Sequence, residues 1–201
     1  MTKIALLIMA AGSASRMKEP KQLLAWGNTS LLGNAIEQAQ NCHAESLFLV
    51  LGANASLIRK NINHEKVNVI INPEWSLGLG NSLAFGVQQI LKKEKETDAI
   101  LITLADQPLI DSKYLNELID VFKRGNKGII ASSYINKAGV PAIFGKSYFL
   151  TLSQLEGDLG AGTILNNTKD ILTIDAKDKI KDIDTPEDYR ALHQAHFGSK
   201  I

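Results

Sequence analysis

Four short stretches of this chain, 3–9, 47–51, 67–71 and Ala99–Leu104, are almost wholly apolar. A strand with one wet face alternates apolar and polar residues, whereas an unbroken apolar run suits a strand covered on both faces by helices. Helical patterns separate these runs. Segment 30–40 places Leu31, Leu32, Ala35 and Ile36 on one side, and 55–61 and 82–93 follow. Segment 111–123 spaces Tyr114, Leu115, Leu118 and Phe122 along an apolar face. Strand and helix in alternation predict right-handed βαβ crossovers and a parallel sheet.

Beyond residue 126 the pattern loosens: 128–134 and 140–144 predict strands joined by a turn at 136–139, a hairpin that would make the sheet mixed. Segment 146–155 reads as helix, 171–174 as strand and 186–196 as a closing helix. No repeat, linker or low-complexity tract divides the chain. The expectation is one domain over residues 1–201, a Rossmann-like three-layer α/β/α fold with a mostly parallel, mixed central sheet.

Charge narrows the partners. The 22 basic and 21 acidic residues leave a formal net charge of +1, which gives no general attraction to nucleic acid or an anionic membrane. Any cation that binds phosphate must act locally. No apolar stretch approaches the roughly 20 residues that span a bilayer. A leader peptide is suggested by Lys3 before the apolar residues 4–11, but the charged, proline-containing stretch 16–21 follows at once. Cys42 is the sole cysteine, so no intrachain disulfide framework exists. The expectation is a cytoplasmic protein.

The stretch after the first apolar run, Ala10-Ala11-Gly12-Ser13-Ala14-Ser15-Arg16, sits where open α/β sheets place ligands. Small residues at Ala10, Ala11 and Gly12 let the main chain approach a ligand closely, and successive N–H groups can point at phosphate oxygens. Ser13 and Ser15 add hydroxyl donors; Arg16 and Lys21 add positive charge. A tight strand-to-helix turn with solvated charges would use the same residues. A dinucleotide fingerprint needs G-x-G-x-x-G, and only Gly12 is present here; Gly78-Leu79-Gly80-Asn81-Ser82-Leu83 also lacks the third glycine.

The run 101–108 ends in Asp106-Gln107-Pro108, a carboxylate at a strand's end where Mg²⁺ could sit, or a residue that merely turns the chain. Near the C-terminus, Asp182-Ile183-Asp184 precedes Thr185-Pro186-Glu187-Asp188. The last four residues read as a helix cap, with Thr185 the N-cap, Pro186 at the first helical position and Asp188 in a capping box. That leaves Asp182 and Asp184 as metal or substrate contacts. His193 and His196 have helical spacing but lack the partners of a zinc site.

Taken together, Met9-Ala10-Ala11-Gly12-Ser13-Ala14-Ser15-Arg16-Met17-Lys18-Glu19-Pro20-Lys21, the Asp106-Gln107-Pro108 triplet and the segment 182–188 resemble the motifs of MobA-like nucleotidyltransferases. The Pro20-Lys21-Gln22-Leu23-Leu24 continuation is most similar to the molybdenum cofactor cytidylyltransferase branch. Asn72-Pro73-Glu74-Trp75, with Gly80 and Ser82 beyond it, resembles the region that closes on the nucleotide, and 139–144 and 157–162 resemble later family segments. Two departures stand out: Lys18 replaces a glycine, and Gly162 replaces an arginine.

The resemblance implies CMP transfer from CTP to the phosphate of molybdopterin cofactor, with release of pyrophosphate. It implies a triphosphate cradled by residues 10–15, with Ala10, Ala11, Gly12, Ser13, Ser15, Gly80 and Ser82 binding nucleotide. Arg16, Lys21 and Asp106 would be catalytic, with Mg²⁺ held by Asp106 and Asp184. A molybdoenzyme or its chaperone would receive the product. Guanylyl transfer, cytidylyl transfer to another phosphorylated acceptor such as methylerythritol phosphate, and nucleotide binding without catalysis remain the alternatives.

Overall fold

The computed structural model describes residues 2–13, 16–17, 19–63, 65–134 and 137–198. Ser15 and Lys18, both singled out above, lie outside them, as does Asn136. The chain runs through β1 (Ile4–Ala10), β2 (Ala25–Trp26), β3 (Thr29–Ser30), α1 (Leu31–Gln40), β4 (Ser46–Leu51), α2 (Ala55–Lys60) and β5 (Asn68–Ile71). It continues through α3 (Leu79–Lys93), β6 (Ala99–Leu104), α4 (Ser112–Arg124), β7 (Ile129–Tyr134) and β8 (Lys137–Gly145). Last come α5 (Phe149–Ser153), α6 (Gly162–Asn166), β9 (Ile171–Asp175) and α7 (Pro186–Phe197).

Seven strands form one sheet in the order β5-β4-β1-β6-β8-β7-β9. Parallel pairing joins β5, β4, β1 and β6, while β8 is antiparallel to both its neighbours and β9 is parallel to β7. The sheet is therefore mixed and mostly parallel, as the apolar runs and the hairpin pattern predict.

Every residue of β1 is buried, and its side chains divide by parity. Ile4, Leu6, Ile8 and Ala10 pack with the apolar faces of α1, α2 and α4; Ala5, Leu7 and Met9 pack with those of α3, α5 and α6. Three layers follow from that alternation. A smaller cluster of Leu24, Trp26, Leu31, Ile183 and Tyr189 binds the β2–β3 pair and α7 to the edge of the body.

Several boundaries differ from expectation. Helix α3 starts at Leu79, three residues before the expected 82, so Ser82 lies inside the helix. Strand β8 begins at Lys137 and takes in most of the expected turn 136–139. The expected helix 146–155 is a 3₁₀ turn, Lys146–Tyr148, followed by the short α5. A register shift between Ala131 and Ser132 bulges β8 at Val140 and Pro141, where proline has no N–H for the ladder. Helix α7 opens with the expected cap: Asp188 N–H donates to Thr185 Oγ1 at 3.1 Å, and Thr185 N–H donates to Asp188 Oδ2 at 2.9 Å.

Candidate functional site

After β1 the chain continues to β4 and β5 on one side of the sheet, then crosses back to β6 on the other. The strand order reverses between β1 and β6, and the carboxyl ends of these two strands open the crevice in which such folds bind ligands. Residues 10–13 leave β1 there, and Asp106 stands two residues beyond β6. A hollow of about 270 Å³ between them is lined by residues 10–13, Arg16, Lys21, Asp106 and Asp184.

Lys21 is the centre of this group. Its position is fixed by a single 3₁₀ turn, Lys21–Leu23, which begins after Pro20. Its ammonium donates to Asp106 Oδ2 at 2.6 Å, to the Ile183 carbonyl at 3.0 Å and to Asp184 Oδ1 at 3.1 Å. Three acceptors thus occupy the three N–H donors of one lysine. Burial pulls the Lys21 pKa down, but the charge and hydrogen bond of Asp106, then those of Asp184, outweigh it and hold the pKa above the ordinary lysine value. The exposed Arg16 guanidinium lies 3.7 Å from Asp184 Oδ2.

Asp106 is anchored from its backbone side too, its carbonyl accepting the Ile183 N–H at 3.0 Å. Its Oδ1 is buried and has no hydrogen-bond partner among the described residues. A hard cation suits such an oxygen. Among the described residues no three His, Cys, Asp or Glu side chains gather as a ready-made cage. The donor set therefore fits an ion of the Mg²⁺ kind, which takes one or two carboxylates and completes its shell with water and substrate phosphate.

The main chain beside these charges is open. The N–H groups of Ala11, Gly12 and Ser13 make no hydrogen bond among the described residues, whereas the Ala11 carbonyl accepts from Ala53 N–H at 3.0 Å. Unpaired amides in succession beside two cations form an anion site.

Two further hollows adjoin the first. One, of about 310 Å³, shares Ala11, Gly12 and Ser13 with it and adds Trp75, Gly78, Ser82 and Asp158. There Ser82 Oγ accepts from Asn72 Nδ2 at 3.1 Å and so keeps its own proton to donate. The other, of about 320 Å³, shares Met9 and Leu104 with the first and adds Gln107, Lys137, Gly162 and Asp182. Leu79 lines all three, a position no sequence signal marked.

Within the last hollow, Gln107 Nε2 donates to Asp182 Oδ1 at 2.9 Å. Burial pushes the Asp182 carboxyl above the usual carboxylate range; the Gln107 hydrogen bond opposes this, and the nearby Asp106 and Asp184 charges add to it. A Cβ on Gly162 would meet nothing within 4 Å, so open space stands where the motif's arginine would begin.

The crevice thus unites Arg16, Lys21, Asp106, Asp184 and residues 10–13, drawn from both ends of the chain. Gly80 is placed elsewhere: it packs under the turn at 156–159, where a Cβ would come within 2.5 Å of the Leu159 carbonyl, and its N–H donates to Gly157 O at 2.7 Å. His193 and His196 pack their rings on Trp26, at 5.8 and 5.4 Å between centroids. Gln22, unmarked as a site residue in the sequence, is buried against the opening loop and lines the first hollow.

Fold and crevice define a class: a three-layer α/β protein with a crevice of paired charges and unpartnered amides at the reversal point of a mostly parallel sheet. The chain belongs to the MobA-like NTP transferase domain family, which matches residues 6–171. It is 28% identical over 202 residues to the nicotine blue oxidoreductase of Paenarthrobacter nicotinovorans, covering 92% of this chain and 95% of that protein. The purine catabolism protein PucB of Bacillus subtilis is 25% identical, with 94% and 95% covered. The crystal structure of Rv0371c from Mycobacterium tuberculosis superposes with a TM-score of 0.84 at 28% identity, covering 96% of this chain and 98% of that one. Rv0371c has also been crystallised as a complex with manganese. Among the described residues no helix is long and apolar enough to cross a membrane.

Proposed function

We propose that this chain, working as a single nucleotidyltransferase domain over residues 1–201 in the cytoplasm, transfers CMP from CTP to the phosphate of molybdopterin cofactor and releases pyrophosphate. One observation carries the reading: Lys21 bridges Asp106 and Asp184 beside three unpartnered amides at the strand-reversal crevice. Family membership and the manganese complex of Rv0371c support it.

An acceptor phosphate is ionised at neutral pH, so it needs no general base. Its oxygen attacks the α-phosphorus; a new P–O bond forms, and the bond to the bridging oxygen breaks, with its electron pair leaving on pyrophosphate. Positioning and charge neutralisation then do most of the catalysis. The amides of residues 11–13 hold the triphosphate, and Arg16 neutralises the charge that builds on the leaving group. Lys21 joins it by giving up one of its three present acceptors. Asp106 and Asp184 would hold Mg²⁺, which when bound supplies further neutralisation of phosphate oxygens. The hollow with Trp75 and Ser82 suits the cytidine, and the one with Gln107 and Asp182 suits the acceptor. A molybdoenzyme or its chaperone would take the product.

The open space at Gly162 favours a second reading, cytidylyl transfer to a different phosphorylated acceptor such as methylerythritol phosphate. The test is a product assay pairing CTP or GTP with molybdopterin cofactor or methylerythritol phosphate, with NAD added to the panel because a relative bears an oxidoreductase's name. A cytosine dinucleotide of the cofactor, formed with one equivalent of pyrophosphate, is the expected product. Product only from methylerythritol phosphate would favour the second reading, and redox turnover with no pyrophosphate would remove both.

A further inference from the structure

We infer that Gln22 is a positioning residue that sets the rotation of the peptides holding phosphate, acting through its hydrogen bonds to residues 10–13. This rests on reading the opening loop as the triphosphate site. Gln22 is only 4% exposed. Its Nε2 donates to two carbonyls, Ala10 O and Gly12 O, each at 3.1 Å. Both partners can only accept, so the amide has one workable orientation; turned over, its Oε1 would face two carbonyl oxygens.

The consequence for the loop follows from peptide planarity. A trans peptide carries its N–H opposite its C=O. Holding the Ala10 carbonyl turns the Ala11 N–H away from Gln22, and holding the Gly12 carbonyl does the same to the Ser13 N–H. The peptide between them is pinned from elsewhere, its Ala11 carbonyl accepting from Ala53 N–H at 3.0 Å. Three consecutive peptide planes are therefore fixed, and their three N–H groups are the ones that make no hydrogen bond among the described residues. Ala10 and Ala11 pack into the core, but at Gly12 side-chain packing contributes nothing, since a Cβ there would touch nothing within 4 Å.

Stability alone would not select this residue. Gln22 Oε1 is buried with no partner among the described residues, a cost that offsets part of what its two donated hydrogen bonds contribute. What only the amide supplies is the pair of donors aimed at the loop. A single turn, Lys21–Leu23, thus delivers a charge to the crevice from Lys21 and a clamp to the loop from Gln22.

The experiment is calorimetric titration of wild type and Gln22→Leu with CTP and with inorganic pyrophosphate, each with Mg²⁺, beside thermal unfolding of both proteins. Pyrophosphate has no base or ribose and reports on the phosphate subsite alone. The expected result is that both affinities fall by a similar factor, roughly 10-fold or more, while the unfolding midpoint shifts little, because removing the unpartnered Oε1 offsets the loss of the bonds to the Ala10 and Gly12 carbonyls. An unchanged affinity in Gln22→Leu would overturn the role of Gln22 while leaving the triphosphate reading intact. Wild type that binds neither probe would remove that reading and the role of Gln22 with it.

If Gln22→Leu does not fold, ¹⁵N-labelled wild type decides. Its Gln22 side-chain N–H groups should exchange slowly, and pyrophosphate with Mg²⁺ should shift the amides of Ala11, Gly12 and Ser13. Rapid exchange at Gln22, or loop amides that stay unmoved, would contradict the inference.

Discussion

The same strands end in two different ways. At their amino ends the Lys3 N–H donates to Asp98 Oδ2 at 2.8 Å, the Ile4 N–H to Glu45 Oε2 at 2.6 Å, and Ser46 Oγ to Glu94 Oε2 at 2.6 Å. Lys3 is also paired with Glu96. A hollow of about 340 Å³ lies there, yet the main chain around it is capped by the protein's own carboxylates. At the carboxyl ends the amides of Ala11, Gly12 and Ser13 make no such bond, and Asp106 Oδ1 lacks a partner, among the described residues. Charge and concavity occur at both ends. What separates them is unfinished hydrogen bonding, which a fold retains where something else completes it.

Substitutions at the two ends should therefore act on different quantities. Asp106→Ala is expected to cut pyrophosphate release at least about 100-fold, with the circular dichroism spectrum unchanged because the backbone contact to Ile183 remains. Lys21→Ala should slow turnover nearly as much. It also leaves Asp106 and Asp184 facing each other without their cation, so a stability loss of about 2 kcal/mol in urea unfolding should accompany the lost activity.

Glu45→Ala at the other end should show the opposite division. Loss of its bond to the Ile4 amide should destabilise by about 1 kcal/mol and leave CTP affinity unchanged. A clear effect of Glu45→Ala on CTP binding would break the contrast between the two ends.

The smallest effect concerns pH. Asp182 has its folded pKa raised by burial, with the Asp106 and Asp184 charges adding to it, so the folded state holds its proton more tightly than the unfolded chain. Its burial therefore costs nothing below the ordinary carboxylate pKa of about 3.9. Stability falls as pH rises from there through the raised value. Asp182→Asn, which can still accept from Gln107, should raise the unfolding midpoint slightly at pH 7 and lose that advantage near pH 3.5. A midpoint lowered at pH 7 would mean that the carboxylate's contacts outweigh its burial.

How much was legible in the sequence follows the physics of each feature. The parallel half was readable because a strand covered on both faces must be apolar throughout, as 4–10 and 99–104 are. Asp106 and the opening loop were readable because ligands in such sheets gather at strand ends. The β2–β3 pair was not, since two-residue strands are too short to show a period. Helix α6 follows a glycine-rich stretch and is only five residues long; what holds it is Ile164 and Leu165 packed against the sheet.

Among the site residues, Lys21 was legible as a charge but its three acceptors were not, because Ile183 and Asp184 lie more than 160 positions away. Gly80 looked like a place for a ligand to approach, and the backbone that approaches it is the protein's own turn at 156–159. Gln22 was legible as part of the Pro20-Lys21-Gln22-Leu23-Leu24 motif, but its role was not, because a buried amide that acts on backbone carbonyls has no characteristic neighbours in sequence.

The contrast between the two ends places nucleoside triphosphate and divalent cation in the carboxyl-end crevice under the proposed function, and not in the amino-end hollow. Calorimetric titration of CTP in Mg²⁺ into wild type, Asp106→Ala and Glu45→Ala tests it most directly. Wild type and Glu45→Ala are expected to bind CTP in a Mg²⁺-dependent way, and Asp106→Ala to lose that binding. Binding that survives in Asp106→Ala and disappears in Glu45→Ala would contradict it.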